Sequence, residues 1–141
     1  MPTLRIPETV RDELLAHARE GAPEEICGVL AGERDEETHR VETRHPAENV
    51  AGTPETRYEI DAREQLDLME RIEDADREVV GFYHSHPRGP AEPSATDAEL
   101  ATWPGRSYLI LSLAGGAPRL TSWRWTGDEF VAEDVRVVAD R

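Results

Sequence analysis

The chain has 141 residues, in which 30 acidic residues outnumber 16 basic ones and give a formal net charge of −14. This balance argues against nucleic-acid binding, because neutralising phosphates requires a basic surface. Cys27 is the single cysteine, which excludes an internal disulfide, and no segment has the length and apolar character of a membrane span. We therefore expect one cytoplasmic domain, residues 1–141, with no nucleic-acid or membrane partner, and its oligomeric state stays open.

The basic residues are of one type, which bears on the conditions under which the protein works. Every basic residue apart from the histidines is arginine, and the chain contains no lysine. A strongly acidic, lysine-free composition is typical of proteins at high ionic strength, where salt screens the repulsion between carboxylates. A genome rich in G and C would also favour arginine over lysine, but it would not raise the acidic content. We therefore interpret the chain as halophilic.

The first half of the chain alternates between strands and a helix. Residues 4–6 predict a short strand, and Pro7 is a favourable first residue for a helix that extends to about residue 20. The apolar, glycine-containing segment 25–31 predicts a second strand. A weaker strand follows at residues 39–44, and the prolines and glycine of segment 45–56 predict a loop.

The second half contains a helix and a series of strands. Residues 62–76 predict a helix with apolar side chains at helical spacing, preceded by a short strand at residues 58–60. The continuous apolar segment 79–83 predicts a buried strand that ends in two histidines. Three further strands are predicted at residues 108–113, 120–125 and 130–138. These elements predict an α/β domain in which two main helices pack on a mixed β-sheet.

Two histidines at the end of the buried strand form the most informative motif. His84 and His86 are two residues apart, so both imidazoles point to the same face of a strand. Asp97 follows after a loop containing proline and glycine, and its carboxylate would supply a third ligand. Two histidines and one carboxylate leave one position of a zinc ion open, as in a hydrolytic zinc site. The motif therefore predicts a metallohydrolase.

Each part of this motif also has a simpler explanation. Two histidines on one strand face are often an ordinary polar pair, and an acidic residue such as Glu25 often lies in a solvated turn before a strand. Ser94 followed by Asp97 is typical of a helix start with Ser94 as N-cap. That cap is compatible with a metal site, because it would hold Ser94 and Asp97 near the strand end. By residue type alone, Glu25 and Asp97 are interchangeable as general base and metal ligand.

The chain contains the pattern His-x-His-x7-Ser-x-x-Asp at His84, His86, Ser94 and Asp97, and Glu25 precedes it. This combination resembles the signature of the JAMM (MPN+) zinc metalloproteases. The resemblance covers essentially the whole chain and is strongest to archaeal stand-alone, desampylase-like members, which remove ubiquitin-like modifiers. It implies a curved mixed sheet of cytidine-deaminase-like architecture. It also implies a Zn²⁺ cofactor held by His84, His86 and Asp97, with Glu25 as general base and Ser94 as donor to the oxyanion.

Three functions are compatible with this resemblance. The first is a zinc metallo-isopeptidase that cleaves after the C-terminal Gly-Gly of a small archaeal ubiquitin-like modifier. The second keeps this chemistry but trims the C-terminus of a sulfur-carrier protein of ubiquitin fold. The third is a non-catalytic MPN interaction module, whose known representatives lack the metal ligands that this chain retains. We expect the first function, with ubiquitin-like modifiers and their conjugates as partners.

Overall fold

The computed structural model describes residues 2–140, and its helices and strands follow the predicted order with one exception described below. No helix within those residues is both long and apolar enough to cross a bilayer. The prediction of an α/β fold with two main helices is confirmed. The elements are β1 (Thr3–Pro7), α1 (Glu8–Gly21), β2 (Cys27–Arg34), β3 (Thr38–Ala47), α2 (Ala62–Asp74), β4 (Glu78–His86), α3 (Ala95–Leu100), β5 (Ser107–Ser112), β6 (Arg119–Trp125) and β7 (Phe130–Val138).

The sheet is mixed, as predicted, and it closes into a barrel. The strand order is β1-β3-β2-β4-β5-β6-β7, and β7 pairs with β1. β1 is parallel to both β3 and β7, β4 is parallel to β5, and the remaining neighbours are antiparallel. Closure pairs the two edges that an open sheet would leave exposed. The family resemblance implied a curved sheet but not its closure, because the contact between the first and last strands is not visible in local sequence patterns.

β4 lies between β2 and β5 and carries the two histidines at its end. All its residues from Val79 to His86 are buried, as the apolar run predicts. Phe82 belongs to the hydrophobic core cluster that includes buried residues of α2, whereas Tyr83 belongs to the one that includes buried residues of α1. Since side chains alternate along a strand, His84 and His86 share the α2 face with Phe82. Burying an apolar side chain of this size contributes about 1.5–3 kcal/mol, so both helices fix β4 firmly.

Two features of the chain before α2 differ from prediction. β2 begins at Cys27 rather than at residue 25, so Glu25 lies just before the strand. The predicted strand at residues 58–60 is wrong, because this segment forms only an isolated bridge between Asn49 and Ile60. The physical reason is that β3 continues to Ala47 as a partner of β2, which leaves segment 58–60 with no neighbouring strand among residues 2–140.

A buried histidine predicts a pH dependence of stability. His39 is 1% exposed, and its Nδ1 lies 2.7 Å from Ser107 Oγ. Burial, reinforced by the positive charge of Arg124, lowers the pKa of His39 from 6.5 to about 3. Below pH 6.5 the unfolded chain gains a proton that the folded chain does not. The free energy of unfolding should therefore decrease as the pH decreases below about 6.5, by up to about 1.4 kcal/mol per pH unit from this group.

Urea unfolding of the protein and of His39→Gln between about pH 6.5 and pH 5 measures this effect. The free energy of unfolding should depend less steeply on pH in the variant than in the parent chain. Equal slopes in the two proteins would show that His39 does not titrate differently in the folded and unfolded states.

Candidate metal centre

Three side-chain atoms converge at the end of β4. His84 Nε2 and His86 Nε2 are 3.1 Å apart. Asp97 Oδ2 lies 3.2 Å from the His84 nitrogen and 3.1 Å from the His86 nitrogen. Ligands about 2.0–2.1 Å from a tetrahedral zinc ion would be about 3.3–3.4 Å from one another. The atoms therefore form a triangle of the size that a metal ion requires, and the structure brings together His84, His86 and Asp97.

The hydrogen bonds of His86 indicate what this triangle binds. His86 Nδ1 lies 2.8 Å from the carbonyl oxygen of Pro90. A carbonyl oxygen only accepts, so Nδ1 carries the hydrogen and Nε2 of a neutral ring presents a lone pair. Asp97 Oδ2, only 3.1 Å away, is also an acceptor. Two hydrogen-bond acceptors at this distance require a proton or a cation between them. The triangle of side chains therefore fits a metal ion.

Asp97 is held in place by the first turn of α3. Ser94 N donates to Asp97 Oδ2 at 2.9 Å, and Asp97 N donates to Ser94 Oγ at 3.0 Å. This reciprocal capping box confirms the interpretation of Ser94 as N-cap. Because Ser94 Oγ accepts the Asp97 N–H, its own hydrogen remains available to donate elsewhere. The exposed Ser94 hydroxyl is thus suited to contact a bound molecule.

Glu25 lies beside the two histidines on the segment that precedes β2. Potential metal-ligand atoms of Glu25, His84 and His86 lie within 4.8 Å of one another. Glu25 is 5% exposed, and its Oε1 is buried without a hydrogen-bond partner among residues 2–140. Burial raises the pKa of Glu25 to about 7, with a lowering contribution from His86 and a raising one from Asp97. Such a carboxyl group can accept and release a proton near neutral pH.

Ser85 fastens the segment of Glu25 to β4. Its Oγ accepts a hydrogen bond from Ile26 N at 2.8 Å, and its own N–H donates to Ile26 O at 3.0 Å. Ser85 thus anchors the neighbouring backbone through both its hydroxyl and its amide. The residue between the histidines therefore fixes the distance from β4 to Glu25.

The charges of the cluster favour a cation. Burial alone would raise the pKa of Asp97, but hydrogen bonds from His84 and His86 hold that pKa well below its usual range. Burial lowers the pKa of His84, and contact with Asp97 offsets part of this effect. For His86, burial acts in the same direction, but contact with Asp97 outweighs it and the pKa is raised. An ionised carboxylate thus lies at the centre of a largely buried site.

The comparisons with known proteins identify the family. Residues 7–126 match the sequence profile of prokaryotic homologs of the JAB domain. The chain belongs to this family. The resemblance to JAMM proteases that the motif indicated is therefore confirmed.

Two relatives of this JAB-domain protein and one solved structure match it along most of their length. A desampylase of Haloferax volcanii is 50% identical over 131 residues, which cover 90% of this chain and 91% of that protein. A CysO-cysteine peptidase of Mycobacterium tuberculosis is 40% identical over 126 residues, or 89% of this chain and 84% of the relative. The solution structure of a Desulfitobacterium hafniense protein superposes with a TM-score of 0.87 at 35% identity, covering 97% and 94% of the two chains.

Tyr58 belongs to the surroundings of the metal centre, which the sequence did not indicate. Its ring stacks on that of His84, with centroids 4.4 Å apart and an interplanar angle of 22°. Tyr58 also lines a small groove of about 140 Å³, which we call the aromatic groove. Its lining residues are Tyr58, Glu59, Ile60, Gln65, Phe82, Leu100, Thr102, Trp103 and Tyr108.

A larger cavity of about 560 Å³ adjoins the metal centre and is lined by a different set of residues. Glu25, His86 and Ser94 line it, and the charged side chains of Glu55, Glu92 and Arg88 also contribute. We call it the charged cavity. The aromatic groove reaches His84 through Tyr58, whereas His86 itself lines the charged cavity. The charged cavity therefore opens onto the metal centre, whereas the aromatic groove is linked to it only through the ring of Tyr58.

Proposed function

We propose that this JAB-domain protein is a zinc-dependent isopeptidase that releases a ubiquitin-like modifier by hydrolysing the bond after its C-terminal Gly-Gly. The observation that carries the proposal is the triangle of His84, His86 and Asp97 beside the buried, unpartnered carboxyl oxygen of Glu25. The similarity to a Haloferax desampylase supports the choice of substrate. A reducing, cytoplasmic location agrees with the single buried Cys27.

The chemistry follows from the positions of three groups. Zinc held by His84, His86 and Asp97 would supply Lewis acidity and lower the pKa of water. Glu25 takes the proton of the attacking water and delivers it to the leaving amine, and its pKa of about 7 suits both steps. Ser94 Oγ donates to the oxyanion that forms at the scissile carbonyl. Losing such a donor costs about 3–4 kcal/mol, or about 10²–10³ in turnover.

The aromatic groove is suited to the extended tail of a modifier. Within residues 2–140, the N–H and C=O groups of Tyr58 and Ile60 make no hydrogen bond. An extended peptide can pair with such free groups by strand addition. A groove of about 140 Å³ has little room for side chains, which favours glycine next to the scissile bond. The charged cavity, lined by Glu25 and Ser94, then receives the leaving amine.

Replacing the terminal glycine of the modifier tests this assignment. A bulky residue at that position should lower the cleavage rate by orders of magnitude, because its side chain would crowd the metal centre and Ser94. The same replacement several residues upstream of the Gly-Gly pair serves as the matched control and should have a small effect. Initial rates on the three conjugates provide the measurement. Indifference to the terminal substitution, or efficient digestion of casein, would instead indicate a general peptidase.

A second candidate is the trimming of an amino acid from a sulfur-carrier protein of ubiquitin fold. The observation that favours it is Arg88, whose positive charge lines the charged cavity and would suit the carboxylate of a released amino acid. The 40% identity to a CysO-cysteine peptidase agrees with this alternative. Both candidates cleave after Gly-Gly, so rates on one modifier joined to lysine or to a C-terminal cysteine distinguish them.

A further inference from the structure

Asn49, the only asparagine of the chain, makes hydrogen bonds in several directions. Its Nδ2 donates to the carbonyl oxygens of Glu25 at 2.9 Å and of Arg57 at 3.0 Å. Its Oδ1 accepts from the N–H groups of Ala51 at 3.0 Å and of Glu59 at 3.1 Å. One half-buried amide thus joins the segment of Glu25 to both residues that flank Tyr58.

Glu25 depends on this segment for its backbone contacts. Its N–H donates to Pro54 O at 2.7 Å, and its C=O accepts from Asn49 Nδ2. Its side-chain Oε1, in contrast, has no hydrogen-bond partner among residues 2–140. The direction in which the carboxyl group points is therefore set from the backbone rather than by a partner at Oε1.

We infer that Asn49 is a positioning residue that holds Glu25 against the metal centre. The inference rests on the proposed function, in which Glu25 is the general base. Without the Asn49 amide, the C=O of Glu25 loses its partner and segment 49–59 loses the contacts that join its two ends. A general base displaced by about 1 Å can lower the rate by about 10²-fold.

A purely structural role would have different consequences. If Asn49 only stabilised the loop, its removal would lower the rate by the same factor whether or not Glu25 could transfer a proton. If Asn49 acts through Glu25, its removal has little further effect once the base is absent, because the effects of residues that act as a unit are not additive.

The test is a double-mutant cycle of Asn49→Ala and Glu25→Gln on a modifier conjugate, measured in single turnover with excess zinc-loaded enzyme. We expect Asn49→Ala to lower the rate by about 10- to 100-fold in the parent chain and by less than about 3-fold in the Glu25→Gln background. Asp61→Ala is the matched control, since it removes the N-cap that accepts from Arg63 N and Glu64 N without touching Glu25. Its effect should be the same in both backgrounds.

A second variant, Asn49→Asp, removes the contact with Glu25 while leaving the loop intact. It serves as the test if the alanine variant does not fold. Aspartate keeps an oxygen for the N–H groups of Ala51 and Glu59 but cannot donate to the Glu25 carbonyl. We expect hydrogen-exchange protection of those two amides and the zinc content to persist while the rate falls as in Asn49→Ala. Equal effects of Asn49→Ala in the two backgrounds, or a parental rate for Asn49→Asp, would overturn the inference. A parental rate for Glu25→Gln would instead overturn the proposed function.

Discussion

Glu25→Gln should retain about one zinc per chain and lose nearly all turnover, by about 10²–10⁴-fold. Glutamine has the shape of glutamate but cannot take a proton from water or return it to the leaving amine. The metal should remain, because the atoms that contact one another most closely belong to His84, His86 and Asp97. Elemental analysis and kcat on a modifier conjugate measure the two effects. Glu24→Gln, at the exposed neighbouring position, is the matched control and should keep both properties.

The same measurements on Asp97→Asn complete the assignment of roles. This variant should bind zinc more weakly, because it loses the ionised oxygen that lies 3.1–3.2 Å from both histidine nitrogens. If Glu25→Gln lost the metal while Asp97→Asn kept it, the base and the ligand would have to be exchanged.

His86→Ala should abolish both metal binding and activity. It removes one corner of the ligand triangle and leaves Asp97 without one of the two histidines that hold its pKa low. In the parent chain, a chelator should remove activity and added zinc should restore it, whereas zinc should not rescue the variant. His45→Ala is the control, because His45 Nε2 contacts Thr43 Oγ1 rather than the centre. A parent protein that remains fully active after its metal has been removed would contradict the zinc-dependent mechanism.

The parts of the site that lie close together in sequence were predictable. The apolar run before His84 predicted a buried strand, and the spacing of Ser94 and Asp97 predicted a capped helix start. These patterns depend on local geometry, namely the alternation of side chains along a strand and the hydrogen bonds of a helix N-terminus. Which carboxylate contacts the histidines was not visible in the residue types. The structure places Asp97 within 3.2 Å of both nitrogens and Glu25 within 4.8 Å.

The parts contributed by the chain between β3 and α2 were not predictable. Tyr58 stacks on His84 although 26 positions separate them, and no sequence pattern reports such a contact. The sequence predicted a strand at residues 58–60, but the hydrogen bonds of Asn49 hold this segment as a single bridge. Asn49 was visible as the only asparagine, yet its role depends on a contact with Glu25, 24 positions away. Closure of the barrel through β1 and β7 is likewise a long-range property.

The most direct test of the proposed function is the mass of the products. The zinc-loaded protein is incubated with a ubiquitin-like modifier whose Gly-Gly terminus is joined to a lysine side chain, and the products are measured by mass spectrometry. The proposed function predicts two products: the intact modifier ending in a free Gly-Gly carboxylate, and the target with an unmodified lysine amine. Cleavage at any other bond, or an uncleaved conjugate with zinc bound, would contradict it.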